Sequence, residues 1–278
     1  MIVNLHDILA PAEAGSYAIG SFNGYDYLTF RATIEAAEEL QTPAIVAFGA
    51  AYLKNMSVEE AAAVFKQLAV RTSQPVALHL DHCRDFATIV QAIKAGFTSV
   101  MYDGSALPFD QNLANTREIV KIAHAAGVSV EAELGSIAGG DKSHEGGGDE
   151  IYTDPTLAKQ FAEETGIDAL AVSIGTVHGL YKGEPKISVE TLKHIDSMVS
   201  IPLVLHGGSG TPEQTVKECI ANGIRKINVN TEISVAVLDA LQGDLASVIR
   251  DAHLSQLMLK EQEVMKLVVK KYMRMFKS

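Results

Sequence analysis

The amino-acid sequence predicts a closed (β/α)8 barrel, the TIM-barrel class, with an extra N-terminal helix and a C-terminal helical tail. Three observations predict it. Short apolar, β-branched runs alternate with longer amphipathic stretches along the chain, the pattern of a buried parallel sheet flanked by helices. There are eight such runs, which suits a closed barrel better than an open doubly wound sheet. The doubly wound alternative also lacks its turn, because Gly20-Ser21-Phe22-Asn23-Gly24 supplies no GxGxxG. With no linker, repeat or low-complexity stretch, residues 1–278 read as a single barrel domain.

In chain order, a helical pattern at 5–14 precedes the first strand, 17–22 (YAIGSF). An amphipathic stretch at 27–40 leads to the second strand, 44–48 (AIVAF), and one at 58–71 to the third, 76–80 (VALHL). The fourth and fifth strands, 98–102 (TSVMY) and 128–134 (VSVEAEL), follow helical patterns at 86–95 and 113–126. The sixth, 169–174 (ALAVSI), follows 155–165; the seventh, 202–206 (PLVLH), follows 189–198; the eighth, 226–230 (KINVN), follows 215–221. Gly96, Gly127, Gly166 and Gly223 stand near the ends of four helices, where a left-handed residue closes the last turn. The longest connection, 135–153, holds six glycines and few apolar groups, and at the mouth of a barrel such a loop reads as a mobile lid. The tail, 254–277, interleaves apolar and basic residues. It is expected to pack on the barrel or across a subunit interface rather than lie on a membrane.

Composition narrows the function. Lys and Arg number 23 against 34 Asp and Glu, a formal charge of −11, which opposes binding to nucleic-acid phosphates. No apolar run approaches the roughly 20 residues that span a bilayer, and the N-terminus lacks the pattern of a signal peptide. Two cysteines, Cys83 and Cys219, are too few for a disulfide framework and fit a reducing compartment. A cytoplasmic enzyme is expected.

Barrel enzymes place their chemistry at the C-terminal ends of the strands. There the sequence puts Asp81 and His82 after the third strand, Asp103 after the fourth, and Glu131 and Glu133 on the fifth. His178 follows the sixth, His206 ends the seventh, and Asn228 and Asn230 close the eighth. His82, His178 and His206 match a three-imidazole catalytic metal site with an open position. One histidine in such a place is more often a hydrogen-bonded core residue; three, with carboxylates beside them, reverse that reading. His6, His124, His194 and His253 on helices, His144 in the lid and His79 inside the third strand read as structural.

Glycine supplies a second signal. His206-Gly207-Gly208-Ser209-Gly210 and Asn228-Val229-Asn230-Thr231 follow the seventh and eighth strands, the usual phosphate site of these barrels. Glycines let backbone N–H groups approach phosphate oxygens, and Ser209 and Thr231 add hydroxyls. Lysine is informative by its absence: a Schiff-base aldolase needs one inside the mouth of the barrel. The sixth strand has none, and Lys226 is expected at the far end of the eighth.

These motifs resemble the class II, zinc-dependent ketose-bisphosphate aldolases, which include fructose- and tagatose-bisphosphate aldolases. The similarity runs from about residue 17 to 237, through His79-Leu80-Asp81-His82, GFTSVM at 96–101, VEAELG at 130–135, HGLYKGEP at 178–185 and the glycine and asparagine turns. The resemblance implies that His82, His178 and His206 hold Zn2+ and that Asp81 is the general acid/base. It implies that Glu133 and Asp103 surround an alternative or second metal position. Asn23, Gly179, Gly207, Gly208, Ser209, Asn228, Asn230 and Thr231 would bind the substrate, most of them around the phosphate of dihydroxyacetone phosphate. Some relatives place a monovalent cation (Na+ or K+) beside that phosphate. The implied partner is a sugar phosphate and the implied assembly a homodimer or homotetramer.

The implied reaction is reversible cleavage of a ketose phosphate to dihydroxyacetone phosphate and an aldehyde such as glyceraldehyde 3-phosphate. Fructose 1,6-bisphosphate and tagatose 1,6-bisphosphate are the first substrates to test, and no motif decides between their C4 configurations. Three departures bear on the aldehyde. Relatives carry acids directly after the glycine pair of the lid, one of them a proton shuttle; here Asp141 and Glu145 are both stand-ins. Gly49 ends the second strand where relatives often have Ser, and only Arg250 and Arg274 are available in the tail for the aldehyde's phosphate. The alternatives are an aldolase for another aldehyde half, a zinc hydrolase, and a non-catalytic sugar-phosphate-binding barrel. The hydrolase usually needs an HxH on the first strand, which is missing here, and the binding protein would need no stoichiometric zinc.

Overall fold

The computed structural model describes the backbone of residues 1–143, 151–251 and 253–277 and, outside 243–251, their side chains. Eight parallel strands close into a barrel: β1 (Ile19–Asn23), β2 (Ala44–Gly49), β3 (Val76–Cys83), β4 (Ser99–Tyr102), β5 (Ser129–Leu134), β7 (Ala169–Val172), β9 (Leu203–Leu205) and β10 (Ile224–Val229), which pairs back onto β1. The two remaining strands, β6 (Ala138–Gly139) and β8 (Val177–His178), form a separate short ladder. Helices α1 (Leu5–Gly15), α2 (Tyr27–Leu40), α3 (Val58–Ala69), α4 (Phe86–Ala95), α5 (Phe109–Ala125), α6 (Pro155–Thr165), α7 (Val189–Asp196) and α8 (Glu213–Ala221) alternate with the strands. Two longer helices, α9 (Thr231–Asp251) and α10 (Leu254–Phe276), complete the chain.

The two-residue alternation of the strands sorts their side chains into two cores. Val46, Phe48, Leu78, Leu80, Val130, Leu170 and Leu205 join the helix-facing core. Ile19, Ile45, Ala77, Met101, Ala169, Ala171 and Val204 fill the lower interior together with Leu5, Ile8, Leu9 and Ala12 of α1. Helix α1, started by Asn4 whose side chain accepts from the Asp7 N–H, therefore plugs the N-terminal mouth. Each of its large buried side chains contributes about 1.5–3 kcal/mol by leaving water. With one end plugged, polar groups inside the barrel can meet solvent only at the C-terminal mouth.

Two features differ from the sequence expectation. β3 runs on to Cys83, past the end expected at residue 80. The long connection after β5 is not a featureless lid: Ala138 and Gly139 pair with Val177 and His178, and Asp141 bridges Leu180. The tail, as expected, packs on the barrel, along α2, burying Met265, Val269, Tyr272, Met273 and Phe276. Lys266 lies 3.0 Å from Glu39 and 3.5 Å from Glu35. No helix among the described residues is long and apolar enough to cross a membrane.

Candidate active site

The site begins with an irregularity in β3. Its register with β2 holds through the Gly49–Asp81 pair, while its register with β4 shifts between Leu80 and Cys83. His82 sits in that shift with φ at +47°, a left-handed conformation uncommon outside glycine. Regular alternation would turn consecutive residues to opposite faces. The bulge rotates His82 back, so that Asp81 and His82 both serve the mouth of the barrel.

Three imidazoles converge there. His82 Nε2 lies 2.8 Å from His206 Nδ1. Ring centroids are 4.6 Å apart for His82 and His206, 4.8 Å for His82 and His178, and 5.8 Å for His178 and His206. One nitrogen from each ring falls within 4.8 Å of the others. His206 Nε2 donates to Glu131 Oε1 at 2.8 Å, which fixes the tautomer and leaves Nδ1 as a lone pair facing His82. Burial, reinforced by the facing imidazoles, lowers the pKa of His178 and His206 and favours the neutral form a metal requires.

A carboxylate pair flanks the histidines. His82, Asp103 and Glu133 also offer atoms within 4.8 Å of one another. Burial alone would raise Asp103, but His82 and hydrogen bonds from Ser105 and Arg84 outweigh it and hold this carboxyl far below the ordinary range. The Arg84 fork reaches Asp103 Oδ2 at 2.8 and 3.0 Å. Glu133 is different: burial pushes it up to about 8, and its Oε2 has no hydrogen-bond partner among the described residues. Facing lone pairs of imidazoles and an orphaned carboxylate oxygen beside them fit a divalent cation.

Below the histidines lies a buried ionic network. Lys226, fully buried, places Nζ 2.9 Å from Glu131 Oε2 and 2.6 Å from Asn228 Oδ1. With its carbonyl engaged, Asn228 turns its Nδ2 to donate to Asp81 Oδ1 at 3.1 Å. Asn23 Nδ2 donates to Asp81 Oδ2 at 2.9 Å. Burial would raise Asp81, yet His82, His206 and Lys226 outweigh it and hold the carboxylate ionised well below its usual range. The two amides fix that carboxylate in one orientation at the edge of the metal-ligand cluster.

A small cradle opens beside it, lined by Asn23, His178, Gly179, Gly207, Ser209, Asn228, Asn230 and Thr231. Gly179 and Gly207 have φ of +105° and +71°, and a Cβ on either would lie under 2.5 Å from a backbone carbonyl oxygen. Ser209 Oγ accepts from the N–H groups of Asn230 and Glu232 at the start of α9. Its own proton can point to an anion at that helix N-terminus.

Several expectations are corrected. Gly208 is not on the cradle: its N–H goes to the Asn228 carbonyl, and a Cβ there would strike Ile227 at 2.6 Å, so this glycine permits close packing. Asn228 lines the cradle, but its amide is spent on Lys226 and Asp81. Lys226 is not at a remote strand end; it faces the interior, with its amine held by Glu131 and Asn228 and absent from the cradle wall. Asp141 is exposed and lies 3.3 Å from Lys182, whereas Glu145 and the side chain of Arg250 lie outside the described residues. Arg274 belongs to the far end of the molecule: α10 ends where Lys277 Nζ meets Gln41 O at the C-terminus of α2. Beyond Lys226, the sequence reading missed Tyr25 and Tyr52, whose hydroxyls donate and accept around Asn230. The signal that would have found Lys226 is its two-residue spacing from Asn228, and none pointed to the tyrosines.

Comparison with known proteins gives a consistent result. The family model "Fructose-bisphosphate aldolase class-II" matches residues 3–278. The crystal structure of the YdjI aldolase from Escherichia coli K12 is 34% identical, with a TM-score of 0.89 over 99% of this chain and 97% of that one. A candidate fructose-1,6-bisphosphate aldolase from Coccidioides immitis is 29% identical, also with a TM-score of 0.89, over 98% and 96% of the two chains. Fructose-bisphosphate aldolase from Campylobacter jejuni, at 24% identity and a TM-score of 0.84 over 99% and 95%, shares the fold.

Proposed function

Because the chain belongs to the class II fructose-bisphosphate aldolase family, we propose that it is a zinc-dependent lyase that reversibly cleaves a ketose phosphate to dihydroxyacetone phosphate and an aldehyde. The observation that carries this reading is the convergence of His82, His178 and His206 beside an amide-clamped Asp81 and a small glycine-lined cradle. In it, the three histidines hold the metal, with Asp103 and Glu133 around a second position for it. The metal, when bound, supplies Lewis acidity that stabilises the negative charge left on the dihydroxyacetone phosphate half.

The chain's own residues do the rest. Gly179, Gly207, Ser209 and Thr231 hold the phosphate with backbone N–H groups and hydroxyls, at the positive end of α9. A monovalent cation beside that phosphate, and a homodimer or homotetramer in the cytoplasm, remain part of this proposal. Asp81 accepts the proton of the C4 hydroxyl as the C3–C4 bond breaks and returns it in condensation. Asn23 and Asn228 keep it from rotating away. Asn23 Oδ1, buried and without a hydrogen-bond partner among the described residues, is placed to accept from a substrate hydroxyl.

The test is cleavage of fructose 1,6-bisphosphate, tagatose 1,6-bisphosphate and ketose 1-phosphates, read as dihydroxyacetone phosphate released, before and after EDTA and then with zinc restored. Release that EDTA abolishes and zinc restores supports the reading. Release that survives complete metal removal overturns it.

A further inference from the structure

Beside the phosphate cradle lies a larger recess of about 410 Å³, lined by Tyr25, Ala51, Tyr52, Asn55 and Ser234. Asn230 forms the shared wall: Tyr25 Oη donates to its Oδ1 at 2.6 Å, and its Nδ2 donates to Tyr52 Oη at 2.8 Å. The recess sits over the ends of β1 and β2, the side on which Asn23 reaches Asp81. On the opposite side of Asp81 and His82, the Arg84–Asp103 pair and Ser105 occupy the space. A substrate anchored by phosphate in the cradle, with its C4 hydroxyl at Asp81, therefore extends its remaining carbons over Asn23 into this recess.

Among the described residues, the lining of the recess is uncharged. Its wall offers two phenols, a carboxamide and a hydroxyl, and the two phenol rings meet edge to face with centroids 4.6 Å apart. Gly49 makes this possible. A Cβ at that position would lie 3.0 Å from the Tyr52 ring and 3.5 Å from Asn23 Nδ2, so the ring occupies the space that a side chain there would need. Lys54, exposed, stands between Tyr52 and Asn55 in the chain, and acids adjoin the wall as well. Asp26 directly follows Tyr25, and Glu261 of α10 is raised by burial and by the Asp26 charge. Hydroxyl and amide groups over aromatic rings suit a polyhydroxylated carbon chain; a second phosphate would find no cation among the described residues that line the wall.

We propose that the recess is the subsite for the aldehyde half and selects an unphosphorylated polyhydroxy aldehyde, so that the ketose cleaved carries one phosphate. This inference rests on the aldolase reading above. It is tested by condensing dihydroxyacetone phosphate, on the zinc-loaded full-length protein, with glyceraldehyde 3-phosphate, both glyceraldehyde enantiomers and a set of neutral tetroses. The expected result is a kcat/KM at least tenfold higher for the best neutral aldehyde than for glyceraldehyde 3-phosphate. Asn55→Leu is expected to lower kcat/KM for the tetroses several-fold more than for the trioses. A preference for glyceraldehyde 3-phosphate, or equal losses for trioses and tetroses in Asn55→Leu, overturns the subsite while leaving the aldolase reading intact. Failure to consume dihydroxyacetone phosphate with any aldehyde overturns both.

Discussion

Replacing Lys226 with Met tests whether one buried ion pair supports both halves of the site. Lys226 and Glu131 are fully buried, with Nζ 2.9 Å from Oε2. Removing the ammonium leaves Glu131 with the His206 N–H and a distant His79, 3.7 Å away, and leaves Asn228 Oδ1 without its donor. Breaking a buried pair from one side costs about 3–5 kcal/mol, because the surviving charge stays buried without compensation. At about 2–4 °C per kcal/mol for a chain of this order of size, the melting temperature should fall by roughly 10 °C. Calorimetry on the metal-loaded protein reads this directly. Glu131→Gln and the double variant Lys226→Met/Glu131→Gln complete a cycle. The double variant carries no buried charge at either position, so it should be more stable than the Lys226→Met single variant, with a coupling of about 1–3 kcal/mol. Chelator competition on the same proteins should show zinc held about 10–100-fold more weakly in Lys226→Met, since the acceptor that orients His206 has lost its anchor. A coupling below about 0.5 kcal/mol, with zinc affinity unchanged, would refute the idea that this pair organises the site.

Asp81→Ala should keep its metal and lose kcat by about 10²–10⁴-fold; metal analysis beside steady-state kinetics checks this, and parallel loss of zinc would reassign Asp81 as a ligand. His178→Ala should lose metal and activity together, and an active metal-free variant would remove the histidine from the metal site. Glu133 has a folded pKa of about 8 against an ordinary value of 4.5, so its contribution to stability is complete below about 4.5 and is lost as pH rises through about 8. Denaturant titrations of the metal-free protein should therefore show wild type losing stability relative to Glu133→Gln across that window, and parallel curves would contradict the raised pKa of this buried carboxyl.

Much of the barrel was legible because its strands are buried on both faces. Runs such as Ala44-Ile45-Val46-Ala47-Phe48 cannot belong to a half-solvated sheet, and the helical pattern at 155–165, closed by Gly166, bounds α6 as expected. The histidines and Asp81 were legible for a similar reason, since polar residues ending apolar strands have few structural uses. What escaped was geometry that depends on several strands at once. The β3 bulge shows in no local signal, because His82 adopts a left-handed conformation that its residue type does not advertise. Assigning Gly208 to the phosphate followed from its place in the turn, but only the folded chain reveals that its N–H is already bonded to the Asn228 carbonyl, while Asn228 lines the cradle and also holds Lys226 and Asp81. The Tyr25–Tyr52 wall likewise unites residues from two loops, on an aromatic contact that Gly49 permits.

The most direct test of the central claim is proton exchange at C3 of dihydroxyacetone phosphate in D2O, followed by NMR with no aldehyde present. This isolates the dihydroxyacetone phosphate half of the reaction from every question of aldehyde choice. Metal-loaded protein should exchange a single C3 hydrogen stereospecifically, chelation should stop the exchange, and added zinc should restore it. Exchange that proceeds at the same rate in the metal-free protein, or no exchange with the three-histidine site loaded, would contradict a metal-dependent aldolase built on His82, His178 and His206.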